Sequence, residues 1–135
     1  MNDVYNDLFV NYAFHDTELT SVSFEAYKIK LFFGSGIYKT DIRGNEIDLT
    51  KPVTIEIKTA YKNIDNYVDI FLYNKRIKNT TIESFIKQLK EDVFTIDMAY
   101  YSKFGSTLLI DGGFKKENAF VSITDIESIV FCFDE

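Results

Sequence analysis

The run Val53-Thr54-Ile55-Glu56-Ile57-Lys58 alternates apolar with polar residues at every step, and Thr59 follows. A period of two suits a strand with one buried and one wet face, here Val53, Ile55 and Ile57 against Thr54, Glu56 and Lys58. The same period recurs along the chain. Thr20, Val22 and Phe24 alternate with Ser21 and Ser23, and Ile29, Leu31 and Phe33 with Lys28 and Lys30, across a turn near Glu25-Ala26-Tyr27. Val68, Ile70 and Leu72 mark a strand from Tyr67 to Tyr73, and Phe94, Ile96, Met98 and Tyr100 alternate with Thr95, Asp97 and Ala99. Thr107 to Ile110, Phe120 to Thr124 and Ser128 to Phe133 complete the series. Short turns join neighbours, so the strands should pair antiparallel. The absence of a βαβ rhythm argues against a doubly wound fold.

Two stretches read as helix. Val4, Tyr5, Leu8, Phe9 and Tyr12 fall on one face of a short helix between Val4 and Phe14. Thr80 as N-cap would place Glu83 at the capping-box position, and Ile82, Phe85, Ile86 and Leu89 then form one apolar face of a helix ending near Glu91. Ile37 and Tyr38 read as a continuation of the Ile29–Phe33 strand past a bulge, and Asp111-Gly112-Gly113 as a tight turn or bulge. With a single proline and no linker-like stretch, residues 1–135 read as one domain. The expected fold is α+β: a mostly antiparallel sheet, curled or two-layered, with one central amphipathic helix and a short N-terminal helix.

Charge narrows the partners. The net charge of −6 and pI near 4.8 argue against nucleic-acid binding, which needs Lys and Arg to neutralise phosphates. Lys75, Arg76 and Lys78 form the densest basic stretch. An acidic surface steers basic partners and also favours solubility. The single cysteine, Cys132, has no internal disulfide partner, fits a reducing compartment and reads as a packed strand thiol. Neither a signal-like N-terminus nor an apolar run of about 20 residues is visible, so a cytoplasmic protein is expected, without membrane contact.

No catalytic, cofactor or metal motif stands out. The one histidine, His15, precedes Asp16, and Asp can orient a His base, but adjacent residues often point apart. A turn at Phe14-His15-Asp16-Thr17 is the preferred reading. One His and one Cys far apart supply no zinc spacing, and Asp111-Gly112-Gly113-Phe114 is neither a phosphate-binding nor a dinucleotide loop. Aromatic residues reach 16%, consistent with β-rich packing. Tyr67, Asp69, Phe71 and Tyr73 share one side of a strand, and Asp97 and Tyr101 are read as sharing the outward side of another. These six residues are the candidate partner-binding set if their faces are open; if the strand is central, both of its faces are core.

Phe14-His15-Asp16-Thr17-Glu18-Leu19, followed by Val22 and the alternating Ile29, Leu31 and Phe33, resembles small bacterial proteins with an early FHD-x-x-L turn leading into a hairpin. Many of these look like immunity proteins of polymorphic toxin systems, including contact-dependent inhibition. The resemblance covers roughly the first quarter of the chain and carries over no functional residue; His15 and Asp16 match it as a turn. It implies a non-enzymatic protein, without cofactor, that neutralises a cognate, basic toxin domain by occluding its active site. Two other readings stay open: a small-molecule binding domain or hydrolase with a pocket near His15, and a homo-oligomeric subunit.

Overall fold

Alternation sets which side chain of each strand points inward, and the short connections set the pairing. The computed structural model describes residues 11–63, 66–74, 76–102 and 105–134. In chain order the elements are β1 (Tyr12–Ala13), β2 (Glu18–Leu19), β3 (Ser21–Glu25), β4 (Lys28–Phe33), β5 (Tyr38–Thr40), β6 (Glu46–Leu49), β7 (Val53–Thr59), β8 (Val68–Tyr73), β9 (Ile77–Thr80), α1 (Ile82–Glu91), β10 (Phe94–Ser102), β11 (Thr107–Gly113), β12 (Asn118–Ile123) and β13 (Ile126–Phe133). The architecture is mostly antiparallel β with one short helix among the described residues. The expected N-terminal helix falls outside the described residues over 4–10, and at its predicted end Tyr12 and Ala13 are strand.

Two sheets form a sandwich. One has four strands in the order β13-β7-β4-β3, the other six in the order β2-β10-β11-β12-β8-β9. Their facing side chains fuse into one core: Ile29, Leu31, Phe33, Ile55 and Ile57 from the first, Ile70, Ile96, Leu108, Ile110 and Val121 from the second. The void left between Leu31, Phe33 and Ile55 on one side and Ile96, Leu108 and Ile110 on the other is about 10 Å³. That is at the lower limit for a single water, and its walls are apolar. Removing this surface from water drives the two sheets together.

The third sheet, β1-β5-β6, corrects the expected continuation of β4 into Ile37 and Tyr38. Gly36 takes φ +81°, and a Cβ there would collide with the Thr50 carbonyl. The Thr50 N–H donates to the Ile37 carbonyl at 2.7 Å and the Ile37 N–H to Thr50 Oγ1 at 3.0 Å. This clasp turns the chain out of the sandwich and pairs β5 with β6 instead. Tyr12 of β1 packs beside Phe131 and Phe133, at ring separations of 5.7 and 5.3 Å.

α1 lies against β3 and β8 and inserts Phe85 and Leu89 into the core. Phe85, Phe94 and Phe114 pack with centroid separations of 4.8 to 5.7 Å, tying helix to sheet. The N-cap is Thr81, not Thr80, which belongs to β9. Thr81 Oγ1 accepts from the Ser84 N–H at 3.0 Å, so Ser84 occupies the third helical position and Glu83 complements the dipole from the first turn. Thr81→Ala is expected to cost about 1 kcal/mol in urea unfolding, whereas Thr80→Ala should cost little of the cap energy; the reverse order would restore the one-residue-earlier cap.

Candidate functional site

The outer face of the six-stranded sheet follows from register. With Ile70, Leu72, Val121 and Ala119 turned inward, their alternating neighbours must point away from the core. Pairing aligns those outward residues across strands. One row runs Asn79, Phe71, Phe120, Asp111, Met98; beside it lie Ile77, Tyr73, Asn118, Gly113, Thr95, and on the other side Asp69, Ser122, Leu109, Tyr100. None of these residues is basic. Ile77, Met98 and Tyr100 are 73%, 44% and 59% exposed, a high apolar content for a solvent-facing sheet.

At the β8–β9 end this face forms an open groove of about 440 Å³ lined by Phe71, Tyr73, Ile77 and Phe120. Phe71 and Phe120 are cross-strand partners, with ring centroids 6.5 Å apart. Tyr73 reaches across β12, and its hydroxyl donates to Asp111 Oδ1 at 2.5 Å. That bond, reinforced by partial burial and the charges of Asp111 and Asp97, pushes the Tyr73 hydroxyl up to about 12. Burial pushes Tyr61 up to about 12 as well, and its hydroxyl donates to the Thr124 carbonyl at 2.8 Å. Both groups are held protonated more firmly in the fold than at the ordinary value of 10.0. Their stabilising contribution is therefore complete below pH 10 and is lost as the pH rises through about 12. Tyr73→Phe should abolish one of the two late steps in a near-ultraviolet absorbance titration; a wild-type titration with every tyrosine ionising together near 10.0 would contradict the bonded Tyr73.

The structure brings together Asp69, Phe71 and Tyr73 of the six sequence candidates. Asp97 is exposed on β10, and its charge is felt at the Tyr73 hydroxyl. Tyr101 is corrected, and Tyr67 lies before the strand rather than in it. Tyr67 precedes β8 and stacks on the buried ring of Tyr61, with centroids 3.9 Å apart and planes at 11°. Tyr101 packs against the core, because a bulge between Ile96 and Met98 adds a residue and reverses the alternation after it: Ala99 and Tyr101 go in, Met98 and Tyr100 out. Phe120, Ile77 and Asp111 are absent from the sequence candidates. The alternation around Phe120 marks a strand without saying which face is outward. Asp111 precedes two glycines that suggest a turn, yet Asp111-Gly112-Gly113 continues β11. Gly112 is required by close approach, since a Cβ there would meet the Thr95 carbonyl at 2.5 Å and the Phe94 ring at 2.7 Å.

His15 sits elsewhere in role. The Phe14–Thr17 segment is a turn, closed by the Thr17 N–H donating to the Phe14 carbonyl at 3.0 Å, with Asp16 at φ +63°. The Asp16 N–H donates to the Ile96 carbonyl, and the Ile96 N–H to the Thr17 carbonyl, both at 2.8 Å, so this turn clamps β10 at its bulge. His15 is exposed; Nδ1 lies 3.1 Å from the Asp97 carbonyl and Nε2 3.2 Å from Asp16 Oδ2. The Asp97 carbonyl first, and the Asp16 carboxylate second, raise its pKa above the ordinary value. Both ring nitrogens are engaged, which suits a clamp better than a base acting on substrate.

The remaining features carry less. A depression of about 290 Å³ at the start of α1 is lined by Asp69, Asn79, Thr81 and Glu83 among others, and a smaller one of about 100 Å³ by Glu18, Leu89 and Asp92 among others; His15 lines neither, nor the groove on the outer sheet face. Cys132 is exposed rather than packed, because Phe131 and Phe133 take the inward positions of β13. Its thiol donates to Glu56 Oε2 at 3.6 Å, and partial burial with the Glu56 charge pushes its pKa up, the opposite of an activated nucleophile. Among the described residues no cluster of His, Cys, Asp or Glu is arranged to hold a metal, and no helix is long and apolar enough to cross a membrane. The chain matches no protein-family model, no curated protein and no solved structure at a significant level.

Proposed function

We propose that this chain is a non-enzymatic protein-binding domain, an immunity protein that neutralises a cognate toxin by laying the outer face of its six-stranded sheet over the toxin's basic active site. One observation carries the reading: an open sheet face that combines Phe71, Tyr73, Phe120, Ile77, Met98 and Tyr100 with Asp69 and Asp111 and no basic residue in its rows. Neither Asp69, Asp97 nor Asp111 has a cationic partner among the described residues. Aromatic and Met side chains supply interface area, while unpaired carboxylates around them attract a basic surface and disfavour an acidic one.

The opposite sheet offers a different surface. Its outer face carries Lys28 and Lys30, each 3.9 Å from Glu56, together with Lys58, and its charges are partly paired. The filled interior and the exposed, engaged His15 weigh against a ligand pocket beside that residue. Calorimetry with the toxin-like domain encoded beside this gene tests the proposal. A one-to-one complex of nanomolar affinity, weakening as salt rises, is the expected result. Absence of heat at micromolar concentrations of both proteins would overturn it.

A further inference from the structure

We infer that the groove between Phe71, Tyr73, Ile77 and Phe120 is a binding site for an arginine side chain. The inference rests on the reading of this face as a protein-docking surface and specifies what the partner places there.

Three rings and one isoleucine make the groove walls. An aliphatic anchor would suit those walls alone. A fifth residue, Asp111, adjoins two of those walls: it accepts from Tyr73 and pairs with Phe120 across the strands. Phe120 and Asp111 are direct cross-strand partners on β12 and β11, so their Cβ atoms are about 5 Å apart. The Tyr73 hydroxyl holds Oδ1 at 2.5 Å and fixes the carboxylate beside the hydroxyl end of that wall residue. Oδ2 has no hydrogen-bond partner among the described residues, and no basic side chain of the three rows neutralises the charge. A purely apolar occupant would strip water from that oxygen without replacing its hydrogen bonds, which is costly. An acidic occupant would be repelled.

A guanidinium meets both demands. Its flat, weakly hydrated faces lie on aromatic rings, its stem covers apolar surface, and its N–H groups reach a carboxylate edge. A lysine ammonium is more strongly hydrated and gains less from an apolar groove. The Tyr73 hydroxyl acts as a positioning group: it sets the carboxylate and need not touch the ligand.

The test is a heteronuclear NMR titration of the labelled wild-type chain with four capped tripeptides, Gly-X-Gly, in which X is arginine, lysine, citrulline or norleucine. The arginine peptide should shift the amides of Phe71, Tyr73, Ile77, Asp111 and Phe120 in one saturable process at millimolar concentrations. Citrulline keeps the shape and loses the charge, and should bind roughly three- to fivefold more weakly, the range of an exposed ion pair. Asp111→Asn should remove that difference while the rest of the spectrum stays in place. Tyr73→Phe should weaken arginine binding and leave norleucine unaffected. Equal shifts from arginine and citrulline, equal shifts from arginine and lysine, tighter binding by norleucine, or shifts away from this face would each overturn the inference. The titration needs no toxin, so the two failures separate. A chain that binds its toxin but not the arginine peptide has lost only the anchor; one that binds the peptide but no protein has lost the immunity reading.

Discussion

Replacing Phe94 by alanine is expected to lower the stability of the domain by about 3–5 kcal/mol. Phe94 is fully buried on β10 and meets Phe85 of α1 at 5.5 Å and Phe114, which follows β11, at 4.8 Å. Its ring also fills the space against Gly112, so truncation opens a cavity at the point where helix, β10 and β11 meet. The close pairing of β10 and β11 around Gly112 limits collapse into that cavity, which favours the upper part of the range. Since domains are stable by about 5–15 kcal/mol in total, the variant should unfold at much lower urea with an unchanged m-value. A loss below about 1 kcal/mol would mean that the Phe85–Phe94–Phe114 cluster is not the packed junction described above.

The second large effect concerns association. Phe71→Ala combined with Phe120→Ala should weaken binding to the proposed toxin partner by roughly 30-fold or more, the scale of hot-spot truncation. Both rings are only half-buried and lie outside the core, so the double variant should keep its cooperative unfolding and lose far less stability than Phe94→Ala. Lys58→Ala, on the outer face of the opposite sheet, is the matched control and should bind normally. Equal losses for both variants would place the interface elsewhere or across both faces. The two experiments separate packing from recognition: Phe94 acts through the fold, and Phe71 and Phe120 through the surface.

Much of the sandwich is legible in the sequence because its inward residues keep an undisturbed period of two. Val53 to Thr59 and Val68 to Tyr73 show it plainly, and both are paired strands with their aliphatic members inside. β6 and β9 escape notice because they lie at sheet edges and bury almost nothing; Ile47, Leu49 and Ile77 are exposed apolar residues on short, polar strands. The bulge in β10 hides differently. Nothing in Phe94-Thr95-Ile96-Asp97-Met98 signals an extra residue, because the register break is made by distant groups, the Thr17 carbonyl and Asp16 N–H that clamp Ile96. Tyr101 is consequently read on the wrong side.

The same limit applies to the site. Asp69, Phe71 and Tyr73 can be placed on one face from alternation alone. Whether that face is open depends on which sheet covers which, a property of the whole topology. Asp111 joins the site through a hydrogen bond from Tyr73, 38 residues away in the chain. Gly112 and Gly113 look like turn formers, and only the nearness of Thr95, Phe94 and Asn118 shows that they make room within a strand.

The most direct test of the central claim is a cross-saturation NMR experiment on deuterated, amide-labelled chain mixed with the protonated toxin domain proposed as its partner. Saturation should pass to the outward rows of the six-stranded sheet, around Phe71, Tyr73, Ile77, Phe120 and Met98. Saturation centred instead on Lys28, Lys30, Thr54 and Cys132, on the outer face of the four-stranded sheet, would contradict the account.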